Sequence, residues 1–443
     1  MIALAAHEIE GAVLATGDPS TRVRGVSIDS RTVAEGDLFA ALPGERVDGH
    51  DYLSLAVERG AVAVLCQPSR GSGLGATAVL EAPDILLALQ TVANQVRRLS
   101  GAAVVGVAGS AGKTSTKDVL RALLAPHRRV VAAHRNHNNE LGVPLTLVRI
   151  EADTEVCICE LAMRGLGQIA ELAAIAAPTL GVITNVGPEH LEFLGSVESV
   201  AAAQAELLEA LPAGSVAVVP DDEPLLEPFL RADLDVRRFG LTERADARVL
   251  RFEPAAGGAE VELVVAGERI AFHTNLRAPH QRLNLAAAAA AAHALGVPVA
   301  RLGEGAGSVE LSPHRGQELT RRTGGIVIDD AYNANPASMR AALEGLHARR
   351  GEGRLVAVLG EMAELGPDAA ALHREIASRA TGIDLVVGVG ELARLYLDGP
   401  ASAWFADVDA AADALPGLLQ PGDVVLLKAS RSVGLERLLE AAS

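Results

Sequence analysis

The fold of this chain is decided by one stretch, Val104-Val105-Gly106-Val107-Ala108-Gly109-Ser110-Ala111-Gly112-Lys113-Thr114-Ser115. An apolar, strand-like run leads into a glycine-rich loop, and the residues from Ser115 to Leu124 have the apolar spacing of a helix. In this order, the loop N–H groups and the positive end of the helix converge on phosphate oxygens. The stretch therefore predicts a site for ATP or GTP. The alternative is a glycine-rich turn that binds nothing.

The residues of this loop have distinct expected tasks. Lys113 would reach the β and γ phosphates, and the Thr114 hydroxyl would ligate Mg²⁺. The strict phosphate-loop pattern has glycine where this chain has Val107, so the match is a variant. The nucleotide-binding segment is expected to consist of Gly109, Ser110, Ala111, Gly112, Lys113, Thr114 and Ser115.

The composition limits the possible partners. The chain has 39 Lys and Arg against 56 Asp and Glu, a formal charge of −17, and only 2% aromatic residues. Nucleic-acid binding is excluded, because it needs a basic surface and, for single strands, aromatic stacking platforms. Any phosphate must be held locally, by a few cations and backbone amides.

The compartment is suggested by cysteine usage and by the absence of targeting signals. Three cysteines, Cys66, Cys157 and Cys159, are too few for a disulfide framework, and a reducing compartment is favoured. The first ten residues contain two glutamates and no basic region, unlike a secretory signal. The longest apolar stretch, 285–292, is shorter than the roughly 20 residues of a membrane helix. We expect a cytoplasmic protein without membrane insertion.

The chain divides into three blocks by pattern. With 443 residues and about 150 residues per domain, roughly three domains are expected. Residues 1–82 predict a small α/β domain, and 83–312 predict a central, mostly parallel sheet of phosphate-loop type that carries an antiparallel meander at 247–276. Residues 313–443 repeat the α/β alternation and predict a Rossmann-like, doubly wound domain. The fold class is therefore α/β with three domains.

Two further residues are candidates for metal binding and catalysis. Glu160 ends the apolar run 156–159, and His190 follows the run that begins at Leu180. Both should lie at the carboxyl edge of the sheet, where ligands of α/β proteins bind. A carboxylate and an imidazole suit a divalent ion bound to a nucleotide. The alternative is a structural glutamate and an ordinary loop histidine. Cys157 and Cys159 share one strand face and are expected to pack rather than to bind metal.

A family resemblance comes from Asp329-Asp330-Ala331-Tyr332-Asn333-Ala334-Asn335-Pro336 together with the phosphate loop. These motifs resemble those of the Mur ligases, and the resemblance covers essentially the whole chain. It is strongest to the members that add D-alanyl-D-alanine to UDP-N-acetylmuramoyl-tripeptide. The resemblance implies ATP and Mg²⁺ as cofactors, an acyl-phosphate intermediate, amide formation and a monomeric enzyme.

The resemblance also implies roles for particular residues. Ser30 and Arg31 would hold the UDP-muramoyl substrate, and Asn138 and Asn139 would hold its peptide. The other implied roles are catalysis by Lys113, Glu160 and His190, nucleotide contacts from Asn284, Arg315 and Asp330, and D-alanyl-D-alanine contacts from Tyr332, Asn333 and Asn335.

Gln204 is where this chain departs most from the family pattern. At this position the family typically has a lysine that is modified to a carbamate and helps to hold a second Mg²⁺. Glutamine cannot be carbamylated. We therefore expect Gln204 to act as an amide substitute, with the second metal bound more weakly or through water.

Other functions stay open at this stage. A related ligase such as a folylpolyglutamate synthase is disfavoured by the segment Asp29-Ser30-Arg31 and by the run from Tyr332 to Pro336. A nucleotide-binding scaffold that has lost catalysis is supported only by Gln204. A phosphate-loop switch or transport ATPase is disfavoured because no separate strand ending in Asp is evident in the central block.

Overall fold

The computed structural model describes residues 1–44, 47–397 and 402–443. Within these ranges the strands form one two-stranded sheet and three larger sheets, of five, nine and six strands. The predicted α/β class is confirmed. None of the described helices is both long enough and apolar enough to cross a membrane.

The five-stranded sheet comes from the N-terminal part of the chain. The elements of this part are β1 (Leu4–Ala5), β2 (Val13–Thr16), β3 (Arg22–Val23), β4 (Gly25–Ser27), β5 (Asp37–Ala40), α1 (Leu53–Glu58), β6 (Ala63–Cys66) and β7 (Ala78–Glu81). The strand order is β2-β7-β6-β5-β4, parallel except for β2, and β1 pairs separately with β3.

A long helix that the sequence analysis did not predict, α2 (Ile85–Leu99), leads into the central sheet. The Asp84 carboxylate caps it by accepting from Leu87 N–H at 2.9 Å. Its buried face follows the helical spacing, with Leu89, Val92 and Val96 fully buried. That spacing is present in the sequence, directly after the expected boundary between residues 82 and 83.

The nine-stranded central sheet carries the phosphate loop. Its elements are β8 (Ala103–Ala108), α3 (Lys113–Leu124), β9 (Val130–Ala132), α4 (Gly142–Leu147), β10 (Val156–Glu160), α5 (Gln168–Ala176), β11 (Leu180–Ile183), α6 (Leu191–Leu194), α7 (Val197–Ala210), β12 (Val216–Pro220), β13 (Asp235–Gly240), β14 (Ala247–Ala255), β15 (Gly258–Val265), β16 (Glu268–Thr274) and α8 (Gln281–Ala294). The strand order is β16-β15-β14-β13-β12-β11-β8-β10-β9. The strands β14, β15 and β16 form the predicted antiparallel meander, which joins the parallel part through β13.

The core of this sheet is made from small aliphatic side chains. Helix α8 contributes seven buried alanines in a row, residues 286–292, and packs against α3 and the sheet. Alanine lets a helix approach its neighbours closely, so a chain with few aromatic residues still forms a dense core. The cysteines Cys157 and Cys159 also lie fully buried in the core, as expected.

The six-stranded sheet forms the last part of the chain. Its elements are β17 (Gln317–Thr320), β18 (Ile326–Asp329), α9 (Pro336–His347), β19 (Leu355–Gly360), α10 (Ala369–Arg379), β20 (Leu385–Val389), β21 (Ser402–Phe405), α11 (Val408–Leu418), β22 (Val424–Lys428) and α12 (Leu439–Ala442). The order is β17-β18-β22-β19-β20-β21, parallel except for β17. Alternate residues of β19 belong to separate cores on its two faces, which confirms the doubly wound arrangement.

We predict that enlarging one alanine of α8 destabilises the central sheet. Ala288 is fully buried, and Ala288→Leu should lower the free energy of unfolding by about 1–3 kcal/mol through overpacking. The control is Leu283→Ala on the same helix, where the side chain is 38% exposed. Chemical denaturation measures both, and equal stability of Ala288→Leu and the wild type would contradict the proposed packing.

Candidate functional site

The phosphate loop has the predicted strand, loop and helix arrangement. Gly109, directly after β8, has a φ of 130°, and Gly112, directly before α3, has a φ of 80°. A Cβ atom at Gly109 would lie 2.1 Å from Thr184 Oγ1, and one at Gly112 would lie 2.5 Å from Asn284 Oδ1. Both positions therefore need glycine, for the backbone conformation and for the space.

The segment after β11 holds the loop in place. Asn185 Oδ1 accepts from Ala111 N–H at 2.8 Å, and the Asn185 carbonyl accepts from Ser110 N–H at 3.0 Å. The Thr184 hydroxyl donates to the Ala111 carbonyl at 2.6 Å. The loop is thus fixed by neighbouring backbone and side chains before any ligand arrives.

Two cavities meet at this loop. Residues 110–112 line both; Lys113 lines the larger, of about 520 Å³, and Ser115 lines the smaller, of about 260 Å³. Both are closed by residues of the six-stranded sheet, so the site lies between that sheet and the central one. Predicted site residues that line the larger cavity are Ser110, Ala111, Gly112, Lys113, Thr114, Asn138, Glu160, His190, Arg315, Tyr332, Asn333 and Asn335. Those that line only the smaller one are Ser115, Asn284 and Asp330.

Glu160 is a buried carboxylate, and one of its oxygens has no hydrogen-bond partner in the part of the chain that the structure describes. It lies at the end of β10 and is 1% exposed. Asn138 Nδ2 donates to its Oε1 at 2.8 Å, whereas its Oε2 is buried without a hydrogen-bond partner among the described residues. A buried, unpaired carboxylate oxygen is costly unless a cation or a donor binds there. This oxygen is thus suited to a ligand that enters the larger cavity.

A second carboxylate in the cavity, Glu189, was not predicted. It is 6% exposed, and its Oε2 lies 3.8 Å from Lys113 Nζ and 3.8 Å from His190 Nε2. In the sequence, the position of Glu189 directly before His190 is what could have marked it as a site residue. Glu189 therefore provides the counter-charge for the phosphate-loop lysine.

Gln204 is buried next to the phosphate loop. It is 1% exposed, on α7, and it lines neither cavity as the described residues define them. Its Oε1 accepts from Gly109 N–H at 2.7 Å, and its Nε2 donates to Glu189 Oε1 at 2.8 Å. Both ends of the amide thus join the phosphate loop to Glu189, and the role of Gln204 as an amide metal ligand stays a prediction.

The six-stranded sheet of the last part of the chain, hereafter the third sheet, contributes an aromatic ring and two cations to the larger cavity. The Arg315 guanidinium lies 4.0 Å from the centre of the Tyr332 ring, and Arg431 lies 5.7 Å from it. Arg315 also donates to the Thr114 hydroxyl at 3.3 Å. Burial raises the pKa of Tyr332 above its usual value. Asp330, nearer the smaller cavity, pairs with the buried Lys428 at 2.6 Å.

Asn335, which is expected to face D-alanyl-D-alanine, lines both cavities, and its side-chain amide also makes structural hydrogen bonds. Its Oδ1 caps α9 by accepting from Ser338 N–H at 2.8 Å, and its Nδ2 donates to the Ser110 carbonyl at 3.0 Å. The amide thus links the third sheet directly to the phosphate loop. Asn333, two residues earlier, lines both cavities.

Five predicted site residues line neither cavity as the described residues define them, namely Gly109, Gln204, Asn139, Ser30 and Arg31. Asn139 is exposed, and its side chain accepts from Gly142 N–H at 2.9 Å at the start of α4. Ser30 and Arg31 follow β4 of the N-terminal sheet. The Arg31 Nε and Nη2 atoms donate to the Asp29 carboxylate at 2.9 and 2.7 Å, which lowers the pKa of Asp29 to about 2.

The comparisons with known proteins now identify the family. Three family models match in succession: the Mur ligase family catalytic domain at 22–105, the Mur ligase middle domain at 107–292 and the Mur ligase glutamate ligase domain at 314–431. A curated relative from Mycobacterium bovis is 38% identical over 98% of this chain and 96% of its own length. The chain belongs to the Mur ligase family. That relative is named UDP-N-acetylmuramoyl-tripeptide–D-alanyl-D-alanine ligase.

Solved structures agree with this Mur ligase along nearly its whole length. MurF from Acinetobacter baumannii has a TM-score of 0.85 and 28% identity, and it covers 96% of this chain and 94% of its own. MurF ligase from Thermotoga maritima in complex with ADP has a TM-score of 0.82 and 30% identity, with 95% and 97% covered. The predicted family and the predicted fold are thus confirmed.

We predict that Gln204→Leu destabilises this Mur ligase. The substitution leaves Gly109 N–H and one Glu189 oxygen without partners in a buried place, which should lower the free energy of unfolding by about 1–3 kcal/mol. Gln420→Leu, at an exposed position, is the matched control. Chemical denaturation of both variants measures the difference, and a Gln204→Leu variant as stable as the control would refute the bridging role.

Proposed function

We propose that this chain is an ATP-dependent ligase that joins D-alanyl-D-alanine to UDP-N-acetylmuramoyl-tripeptide. The observation that carries the proposal is one cavity in which the phosphate loop, the unpaired Glu160 oxygen and the Tyr332 ring of the third sheet face each other. A relative with that activity in its name supports it across 98% of the chain. The enzyme acts as a cytoplasmic monomer in this proposal.

Each part of the chain would hold one substrate. In this proposal, residues 1–82 bind the UDP-muramoyl peptide, 83–312 bind ATP and 313–443 bind D-alanyl-D-alanine. The N-terminal contact would come from Ser30 and Arg31. Arg31 has five N–H donors, and Asp29 holds its fork in a defined direction, so the remaining donors can meet a diphosphate or a carboxylate.

The nucleotide would lie across the phosphate loop. Its phosphates would accept from Lys113 and from the N–H groups at the positive end of α3. The smaller cavity, with Asn284 and Asp330 in its lining, would take the nucleoside. The ADP complex of the Thermotoga maritima relative supports a nucleotide in this family of folds.

The larger cavity has residues that suit Mg²⁺. The described residues contain no group of three or more His, Cys, Asp or Glu side chains that could hold a metal ion alone. Mg²⁺ needs fewer protein ligands when phosphates and water complete its shell. Glu160, through its unpaired Oε2, the Thr114 hydroxyl and His190 would hold it. When bound, the ion would neutralise charge on the transferring phosphoryl group.

The rest of the proposed mechanism is positioning. Lys113 stabilises the γ-phosphoryl group as it passes to the tripeptide carboxylate and forms an acyl phosphate. Asn138, which already binds Glu160, would orient the peptide end in the same cavity. Tyr332 and Asn333 would place the dipeptide amine for attack. Closure of the two sheets around bound substrates would exclude water, which would otherwise hydrolyse the acyl phosphate.

A scaffold without catalysis is the alternative from another class. Its sequence support was Gln204, and the buried hydrogen bonds of that residue instead preserve the phosphate loop. A folylpolyglutamate synthase activity is disfavoured by the name of the Mycobacterium bovis relative, which matches 98% of the chain.

The decisive experiment measures phosphate release from ATP. We expect release only when UDP-N-acetylmuramoyl-tripeptide and D-alanyl-D-alanine are both present, together with formation of the pentapeptide product by mass spectrometry. Lys113→Ala should lower kcat by about 100-fold or more, because a preorganised charge on the phosphoryl group is lost. Nucleotide binding without turnover under all these conditions would favour the scaffold and refute the ligase.

We also predict that turnover does not depend on bicarbonate. Position 204 carries an amide, which cannot form a carbamate, and its hydrogen bonds are already satisfied. The wild-type rate should be the same in CO₂-depleted buffer and in buffer with added bicarbonate. A rate that rises steeply with bicarbonate would show that a carbamylated side chain acts elsewhere in the site.

A further inference from the structure

One contact between the central and third sheets involves a residue that the proposed function does not use. Glu364 lies in the loop after β19, and its Oε2 forms a hydrogen bond with His190 Nδ1. Its Oε1 lies 3.5 Å from Arg164 Nε, and its carbonyl accepts from Glu192 N–H at 3.2 Å. Three separate contacts thus hold this loop of the third sheet beside His190.

The backbone on both sides of this contact is unusual. His190 has a φ of 51° and Glu364 has a φ of 60°, so both are in the left-handed region. Side chains other than glycine rarely adopt this conformation, and it persists only where the surroundings determine it. Both side chains are mostly covered, with 21% of His190 and 27% of Glu364 exposed. The pair is therefore a defined contact and not a chance meeting of two surface groups.

The chemistry of the pair determines which ring nitrogen of His190 is available. A carboxylate oxygen only accepts hydrogen bonds, so Nδ1 carries the proton and donates to Glu364. In the neutral ring, Nε2 then has the lone pair, and it lies towards Glu189, at 3.8 Å, in the larger cavity. Carboxylates that orient histidine in this way are common where the other nitrogen binds a metal.

We propose that Glu364 is a positioning residue that prepares His190 Nε2 to bind the divalent cation of the nucleotide. The inference rests on the proposed function. Because Glu364 belongs to the third sheet and His190 to the central one, the histidine is oriented only while the two are docked. The cation site is thus completed by the same docking that brings Tyr332 to the phosphate loop.

Substitution of Glu364 tests this role by steady-state kinetics. Glu364→Ala should lower kcat and raise the Mn²⁺ concentration for half-maximal rate, each by about 10- to 100-fold, as for other residues that orient a metal ligand. The KM for UDP-N-acetylmuramoyl-tripeptide should not change. Glu364→Gln should retain more activity than Glu364→Ala, because its amide oxygen still accepts from Nδ1.

The matched control is Glu192→Gln. It removes one carboxylate charge from an exposed side chain and keeps the backbone N–H that donates to the Glu364 carbonyl. Its kinetics should equal those of the wild type. If Glu364→Ala and Glu192→Gln gave the same kinetics, the proposal would be overturned.

A second measurement does not depend on turnover. Pulsed electron paramagnetic resonance of Mn²⁺ with ADP should show coupling to one imidazole nitrogen in the wild type, none in His190→Gln and a weakened coupling in Glu364→Ala. An unchanged coupling in Glu364→Ala, or no coupling in the wild type, would overturn the positioning role. A wild type that shows the coupling, yet releases no phosphate with both substrates, would refute the ligase and leave the positioning role supported.

Discussion

The close approach of the phosphate loop to its neighbours is the constraint on which the site depends. Gly109 and Gly112 leave no space for a Cβ atom, because Thr184 and Asn284 lie against them. The loop is held from three sides: by the segment after β11, by Gln204 of α7 and by Asn335 of the third sheet. Gly109, Ser110 and Ala111 use their N–H groups for these contacts, so the loop keeps its shape and places Lys113 and the N–H groups at the start of α3 without reorganisation. Groups held in this way favour electrostatic stabilisation of a phosphoryl group.

The same arrangement explains how an acidic protein can bind polyanions. The formal charge is −17, yet the cavity places Lys113 and Arg315 next to the loop N–H groups. Three carboxylates, Glu160, Glu189 and Glu364, also line this cavity. Glu189 pairs with Lys113 and Glu364 with His190, and one oxygen of Glu160 has no partner within the described part of the chain. Charge is thus balanced over a few ångströms and not over the surface.

Much of the fold could be predicted from the spacing of apolar residues along the chain. The meander and the phosphate loop are where the sequence places them. Helix α2 was not predicted, because it begins directly after the expected boundary between residues 82 and 83, although the helical spacing of its buried residues is present in the sequence. The task of Gln204 could not be predicted, because a sequence pattern indicates which residues are buried and not which atoms they meet.

The sequence by itself determined the fold class, the phosphate loop and the family. Each of these depends on patterns among residues that are close together in the sequence, whatever they contact in the folded protein. Only the tertiary structure decided which predicted residues share a site. Asn138 faces Glu160 whereas the adjacent Asn139 caps a helix, and Asn335 links two sheets. The contact of Glu364 with His190 joins residues 174 positions apart. Such pairs depend on how separate sheets dock, and docking is set by the packing of whole elements and not by local sequence.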